Sequence, residues 1–127
     1  MRIWDIPDRL LCDRHLTGEH VELHTIWNAL TQDKKGWRNH PETKRWEGKL
    51  RALYLRHEEI IKEFNRRGWH HESPLDEKLA TGSDVQDKFV NSISEQLEIL
   101  KKKSDDGSCC GITCADRIRR DHEILTM

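Results

Sequence analysis

The chain has 127 residues, enough for one domain with a modest core, and a formal net charge of −1. Charged residues make up 35% and hydrophobic residues only 35%, which excludes a membrane-embedded protein and one that grips nucleic acid by overall basicity. No run approaches the ~18 apolar residues of a membrane span, and no signal-peptide apolar core opens the chain. The expectation is a soluble, cytoplasmic protein with reduced cysteines.

In chain order, the first predicted element is an amphipathic helix over Leu10–Leu30. At helical spacing Leu11, Cys12, Leu16, Leu23, Ile26, Trp27 and Leu30 share one arc. His15, Glu19 and Glu22 fall inside that arc, at i, i+4 and i+7. A core-facing carboxylate is costly unless it is paired, hydrogen-bonded or needed for chemistry. Two of them beside a histidine point either to a site or to a buried cluster salt-bridged to Arg2 or Arg56.

A loop over Thr31–His40 follows, with Lys34, Lys35 and Arg38 around Trp37; its positive charges are either solvated or phosphate contacts. Pro41 is placed to open a second helix, where its missing N–H costs nothing. Trp46, Leu50, Leu53, His57, Ile60, Ile61 and Phe64 repeat along it as far as Gly68. After a turn-rich stretch from Trp69, a third helix is predicted from Ser83, with Gln86 as capping-box partner and a stripe of Val85, Phe89, Ile93, Leu97 and Leu100. Ser104–Ser108 reads as a linker, and Ala115–Leu125 as a short helix. Period-two alternation is absent. The fold class is all-α: a compact single domain of three main helices with a short C-terminal tail, divided as a helical domain over residues 1–103 and a cysteine-containing tail over 104–127 packed on the same domain.

The remaining chemistry-bearing residues read blandly. His20 and His24 have the i, i+4 spacing of two metal ligands, but both fall on the outward side of the predicted helix with no third ligand near in sequence. Cys109, Cys110 and Cys114 lack a C-x-x-C pair and read as small thiols packing a turn. Cys12 and His57 read as core residues, as do Trp27 and Trp46. No metal and no cofactor is therefore expected. Trp4 and Trp37 stay open between packing and contact with a base.

The run MRIWDIPDRLLCDRHLTGEHVEL resembles the start of the pyrimidine dimer DNA glycosylase family, the endonuclease V type of ultraviolet-damage repair enzyme. The run KLRALYLRHEEIIKEFNRRGW is similar to that family's long second helix. The signal lies in Arg2-Ile3, His15-Leu16, Glu19 and Glu22-Leu23. The resemblance implies an all-helical DNA repair glycosylase with abasic-site lyase activity. Its nucleophile would be the α-amine of Met1, retained because Arg2 is too large for ordinary Met removal, and its catalytic carboxylate Glu22. Arg2 and His15 match pocket residues. Glu19 would orient these groups or hold Arg2, Trp4 would line a flipped-base pocket, and Lys34, Lys35, Trp37 and Arg38 would contact DNA.

The implied partner is double-stranded DNA with a damaged or abasic nucleotide, bound by a monomer. An α-amine, with a pKa near 7.7–8.0, is partly unprotonated at neutral pH and suits attack on a sugar carbon. The chain has Val21 and Thr25 where dimer-acting members carry basic residues, and its tail CCGITCADRIRRDHEILTM has no aromatic. A different modified base is therefore an alternative substrate. Alternative functions are a non-catalytic binding module and a metal or redox sensor built on the C-terminal cysteines.

Overall fold

The computed structural model describes residues 2–32, 35–70 and 73–120. Among them are six α-helices and two 3-10 turns, and no strand. The helices are α1 (Asp13–Thr31), α2 (Lys35–Arg38), α3 (Pro41–Lys44), α4 (Leu50–Arg66), α5 (Ile93–Asp105) and α6 (Cys114–Arg120), with 3-10 turns at Asp8–Leu10 and Glu77–Leu79. The all-helical class is as expected. The count of three fits only the longer helices α1, α4 and α5, and their boundaries differ from the periodicity in instructive ways. Residues Asp8–Leu10 form their own 3-10 turn, so α1 starts only at Asp13.

The predicted second helix is broken. Pro41 does open a helix, capped by His40 Nδ1, which accepts the Glu42 N–H at 3.1 Å. It stops after one turn, and Gly48 takes a left-handed φ of 73° before α4 begins. No side chain caps α4. Instead the N–H groups of Arg51 and Ala52 donate to the carbonyls of Thr81 and Ser83, at 2.8 and 3.1 Å, so a distant segment satisfies donors that a helix start leaves open. Gly82 makes that approach possible: its φ is 84°, and a β-carbon there would sit 2.1 Å from the Gly48 carbonyl oxygen.

The third predicted helix is displaced. Residues 83–90 are not helical, and Val85 and Phe89 of the expected stripe are 60% and 47% exposed. Their backbone is engaged elsewhere. Arg45 donates to the Lys88 carbonyl at 2.9 Å, while Lys49 holds the side chains of Gln86 and Asp87 at 2.7 and 2.5 Å. The helix starts instead at Ile93 with a complete capping box: Ser92 Oγ accepts from Glu95 N–H and Glu95 Oε1 from Ser92 N–H.

The chain divides into two compact units. Described residues within Met1–Ile3 and His20–Val90 form one, and those within Trp4–Glu19 and Asn91–Met127 the other, so the residues on either side of position 103 share a unit. Helix α1 contributes to both. In the first unit Leu23, Ile26, Trp27, Trp46, Leu53, Ile60 and Phe64 are buried, as their periodicity requires. Within that core Arg45 is a hub, donating to Glu42 Oε1 at 2.5 Å and to the Ile3 carbonyl at 2.9 Å.

In the second unit Ile6, Leu10, Leu11, Leu16, Leu100 and Ile118 are buried. Buried Gln96 links three points of the chain: it accepts from Asp5 N–H at 2.8 Å and donates to Asp5 Oδ2 and the Asn91 carbonyl, both at 3.0 Å. No helix among the described residues is long and apolar enough to cross a membrane.

Candidate functional site

The polar residues of α1 are built into the structure to different degrees. Glu19 is 2% exposed, and its Oε1 accepts the Trp4 backbone N–H at 2.6 Å. A buried carboxylate given to a main-chain N–H in this way pins the N-terminal segment to the helix. Trp4 is buried too, its ring edge-on to His15 with centroids 6.1 Å apart. The structure thus gathers Glu19, Trp4 and His15. Glu22 and Arg2, in the other unit, are both half-buried. Met1 and Lys34 lie outside the described residues.

Among the loop residues, Lys35, Trp37 and Arg38 share the four-residue α2. Lys35 is exposed and Trp37 is 49% exposed, with its ring 6.0 Å from that of His40. Arg38 is partly committed to the fold: it pairs with Glu47 at 3.5 Å and reaches the carbonyls of Ala29 and Leu30, both at 3.5 Å, near the end of α1. A positive charge at a helix C-terminus is favourable. A second cationic surface, not anticipated from the sequence, lies in the other unit, where Arg9, Arg117 and Arg120 line a groove with Leu10 and Ile112.

Two clusters of metal-ligating atoms also form. The first joins the start of α1 to the segment leading into α6. Cys12 Sγ, His15 Nδ1, Cys109 Sγ and Cys114 Sγ lie within 4.8 Å of one another. His15 Nδ1 is 3.0 Å from Cys12, 3.4 Å from Cys114 and 3.6 Å from Cys109. Cys12 and Cys114 are fully buried and all four cysteines are free thiols.

Each sulfur of this cluster is also approached by a backbone N–H: His15 donates to Cys12 at 3.4 Å, Cys12 to Cys114 at 3.1 Å and Cys114 to Cys109 at 3.5 Å. Hydrogen bonding from Cys114 outweighs burial and, with His15, holds the Cys12 thiol far below its ordinary range. The same bond and burial push the Cys114 thiol up. The pair therefore gives up one proton readily and keeps the other. The reading of Cys12 as core packing holds for its burial but misses these partners. The sequence signal that was available is a C-x-x-H half at a helix start, matched with a C-x4-C half.

The second cluster corrects the reading of His20 and His24. His20 is only 5% exposed, not outward, and the third imidazole comes from α4. The Nε2 atoms of His20, His24 and His57 form a near-equilateral triangle with sides of 3.2, 3.2 and 3.3 Å. His57 is buried as expected, and its Nδ1 contacts Glu58 Oε1 at 3.1 Å. Around α1, His24 lies roughly 160° from Glu22, so this cluster and the predicted catalytic carboxylate use different faces.

No curated protein and no solved structure matches the chain. A family model does: that of pyrimidine dimer DNA glycosylase matches residues 1–77, which hold the N-terminal segment, α1 to α4 and both His15 and Glu22. The chain belongs to the pyrimidine dimer DNA glycosylase family.

Proposed function

We propose that the protein is a DNA glycosylase with abasic-site lyase activity, using the α-amine of Met1 as nucleophile and Glu22 as its catalytic carboxylate. The observation that carries this reading is the family match over residues 1–77, which spans both positions. The amine nitrogen would form a bond to C1′ of the damaged nucleotide as the glycosidic bond breaks, the base leaving with a proton. Opening of the sugar ring gives a protonated Schiff base. Loss of a C2′ proton then expels the 3′ phosphate by β-elimination and cuts the strand. Glu22 would stabilise the cationic sugar in the first stage and handle the C2′ proton in the second.

The local architecture supports such a nucleophile. The chain is held at its third residue, whose carbonyl accepts from Arg45 at 2.9 Å, and at its fourth, whose N–H is bound by Glu19 at 2.6 Å. Two consecutive fixed residues give a terminal amine a short tether, which lowers the entropic cost of placing it. Glu19 serves that placement rather than contacting the substrate. The half-buried Arg2 would meet the sugar–phosphate. Lys34, Lys35 and exposed Trp37 would meet the duplex. Val21, beside Glu22 in sequence, is 63% exposed, so an apolar side chain would meet the strand where dimer-acting members carry a basic one.

The test uses the untagged chain with duplexes carrying an ultraviolet-induced dimer, another modified base or an abasic site, in the presence of borohydride. The expected result is a reduced covalent adduct that maps to the N-terminal peptide, with strand cleavage abolished in Glu22→Gln. Absence of an adduct on all substrates, or an adduct undiminished by prior N-terminal acetylation, overturns the reading. Duplex binding without cleavage, with Glu22 dispensable, would identify a binding module instead.

A further inference from the structure

Apart from His15, which the family resemblance places at the pocket, no residue of the two clusters is given a part in the amine-based chemistry. We propose that Cys12, His15, Cys109 and Cys114 bind a structural zinc ion. Three sulfurs and one imidazole nitrogen are a complete tetrahedral zinc set. With Zn–S near 2.3 Å and Zn–N near 2.0–2.1 Å, tetrahedral ligands stand about 3.5–3.8 Å apart. Of the separations between His15 Nδ1 and the three sulfurs, 3.6 Å lies in that range, 3.4 Å just below it, and the 3.0 Å to Cys12 would open by about half an ångström around an ion.

Ordinary thiol packing does not account for the arrangement. A neutral imidazole nitrogen carries one proton or one lone pair, so Nδ1 satisfies one sulfur rather than three. Convergence of three sulfurs on that nitrogen is the geometry of a shared central ion. Backbone N–H groups are also directed at the sulfurs of Cys12, Cys109 and Cys114, the outer-shell donors that orient metal ligands. Because all four ligands come from the protein, no position is open for a substrate, and the role is structural. The ion would tie the first turn of α1 to a segment about a hundred positions later in the chain, in a unit with few large apolar residues to hold it.

A second and independent observation carries a second site. We infer that His20, His24 and His57 hold a first-row divalent transition ion with one coordination position open. Each Nε2 presents either a proton or a lone pair, so among three mutually touching nitrogens at least two are alike, and one contact of 3.2–3.3 Å is repulsive. A cation that accepts three lone pairs at once removes the conflict. An ion about 2.0–2.1 Å from each nitrogen would sit roughly 0.8 Å off the plane of this triangle, leaving its far side free. The Glu58 carboxylate at His57 Nδ1 fixes that ring's proton on Nδ1 and turns the Nε2 lone pair toward the centre, as metal-bound histidines require. Three imidazoles with an open position are a donor set for binding an anion or activating a water.

The experiment is metal analysis of the full chain, purified without a histidine tag and desalted exhaustively, followed by replacement of the bound metal with cobalt(II). For the first site the expectation is one equivalent of zinc and, with cobalt, strong thiolate-to-metal charge transfer. Cys109→Ser should lose that band, and Cys110→Ser, which alters no ligand, should keep it. If Cys109→Ser fails to fold, His15→Cys decides: a four-sulfur site should still bind zinc and intensify the charge transfer.

For the second site, His24→Ala should lose one metal equivalent while leaving the thiolate band unchanged. A wild-type chain that carries no zinc and shows no charge transfer with cobalt overturns the first proposal, as does charge transfer that survives in Cys109→Ser. Unchanged metal content in His24→Ala overturns the second alone. Neither result bears on the Met1–Glu22 chemistry, which the borohydride adduct tests separately.

Discussion

Replacing Arg45 by Ala should be among the most destabilising single changes in the first unit. Its guanidinium is buried and donates to three acceptors: Glu42 Oε1 at 2.5 Å, the Lys88 carbonyl at 2.9 Å and the Ile3 carbonyl at 2.9 Å. The side chains of Arg45 and Glu42 are 5% and 6% exposed. Truncation strands the Glu42 carboxylate with the Trp46 indole N–H at 3.3 Å, and frees two main-chain carbonyls that lie in different segments. Breaking a buried pair of this kind costs about 3–5 kcal/mol.

With a urea m-value near 2 kcal/mol per molar, a loss of about 4 kcal/mol lowers the unfolding midpoint by roughly 2 M. Arg45→Met combined with Glu42→Gln should recover at least half of it, because no buried charge then stands alone. Arg38→Ala is the internal control: its contact with Glu47 is 3.5 Å long with both side chains over a third exposed, so the cost should stay below about 1 kcal/mol. A midpoint shift for Arg45→Ala no larger than that of Arg38→Ala would refute the reasoning.

Glu63 links stability to pH. Burial opposes its ionisation, but hydrogen bonds from Arg67 and Arg66 outweigh that and hold its carboxyl below the ordinary value. A carboxyl depressed in the folded state stabilises fully above its unfolded pKa, near 4.3, and loses that contribution as pH falls through the folded value. Urea midpoints of wild type and Glu63→Gln should therefore differ at pH 7 and converge in acid; a gap that widens on acidification would contradict the assignment. Gly82→Ala should destabilise by at least about 2 kcal/mol, since it combines a left-handed φ with a β-carbon clash against the Gly48 carbonyl and displaces the cap of α4. Hydrogen exchange should show the Arg51 and Ala52 amides losing protection first. Ser92→Ala removes one half of the α5 capping box and should cost about 1 kcal/mol by thermal or urea unfolding.

Much of the molecule follows from local chemistry that the sequence states outright. Apolar spacing makes α1 and α4 helices and buries Leu23, Ile26, Leu53 and Ile60, because a helix exposes the same face to its neighbours every three to four residues. The N-terminal motif is just as local, which is why the family is legible there. What periodicity could not decide is where competing partners take the backbone away. Residues 83–90 carry a helical stripe on paper, yet Arg45 and Lys49 from the far side of α3 claim that segment, and the helix waits for the Ser92–Glu95 box.

The metal-ligating clusters lie beyond local reading for the same reason. His20 and His24 need His57, thirty-seven and thirty-three residues later, and Cys12 and His15 need Cys109 and Cys114, almost at the other end of the chain. A ligand set is a property of where side chains converge in space. Only the packing of one segment against another brings those atoms to a common point.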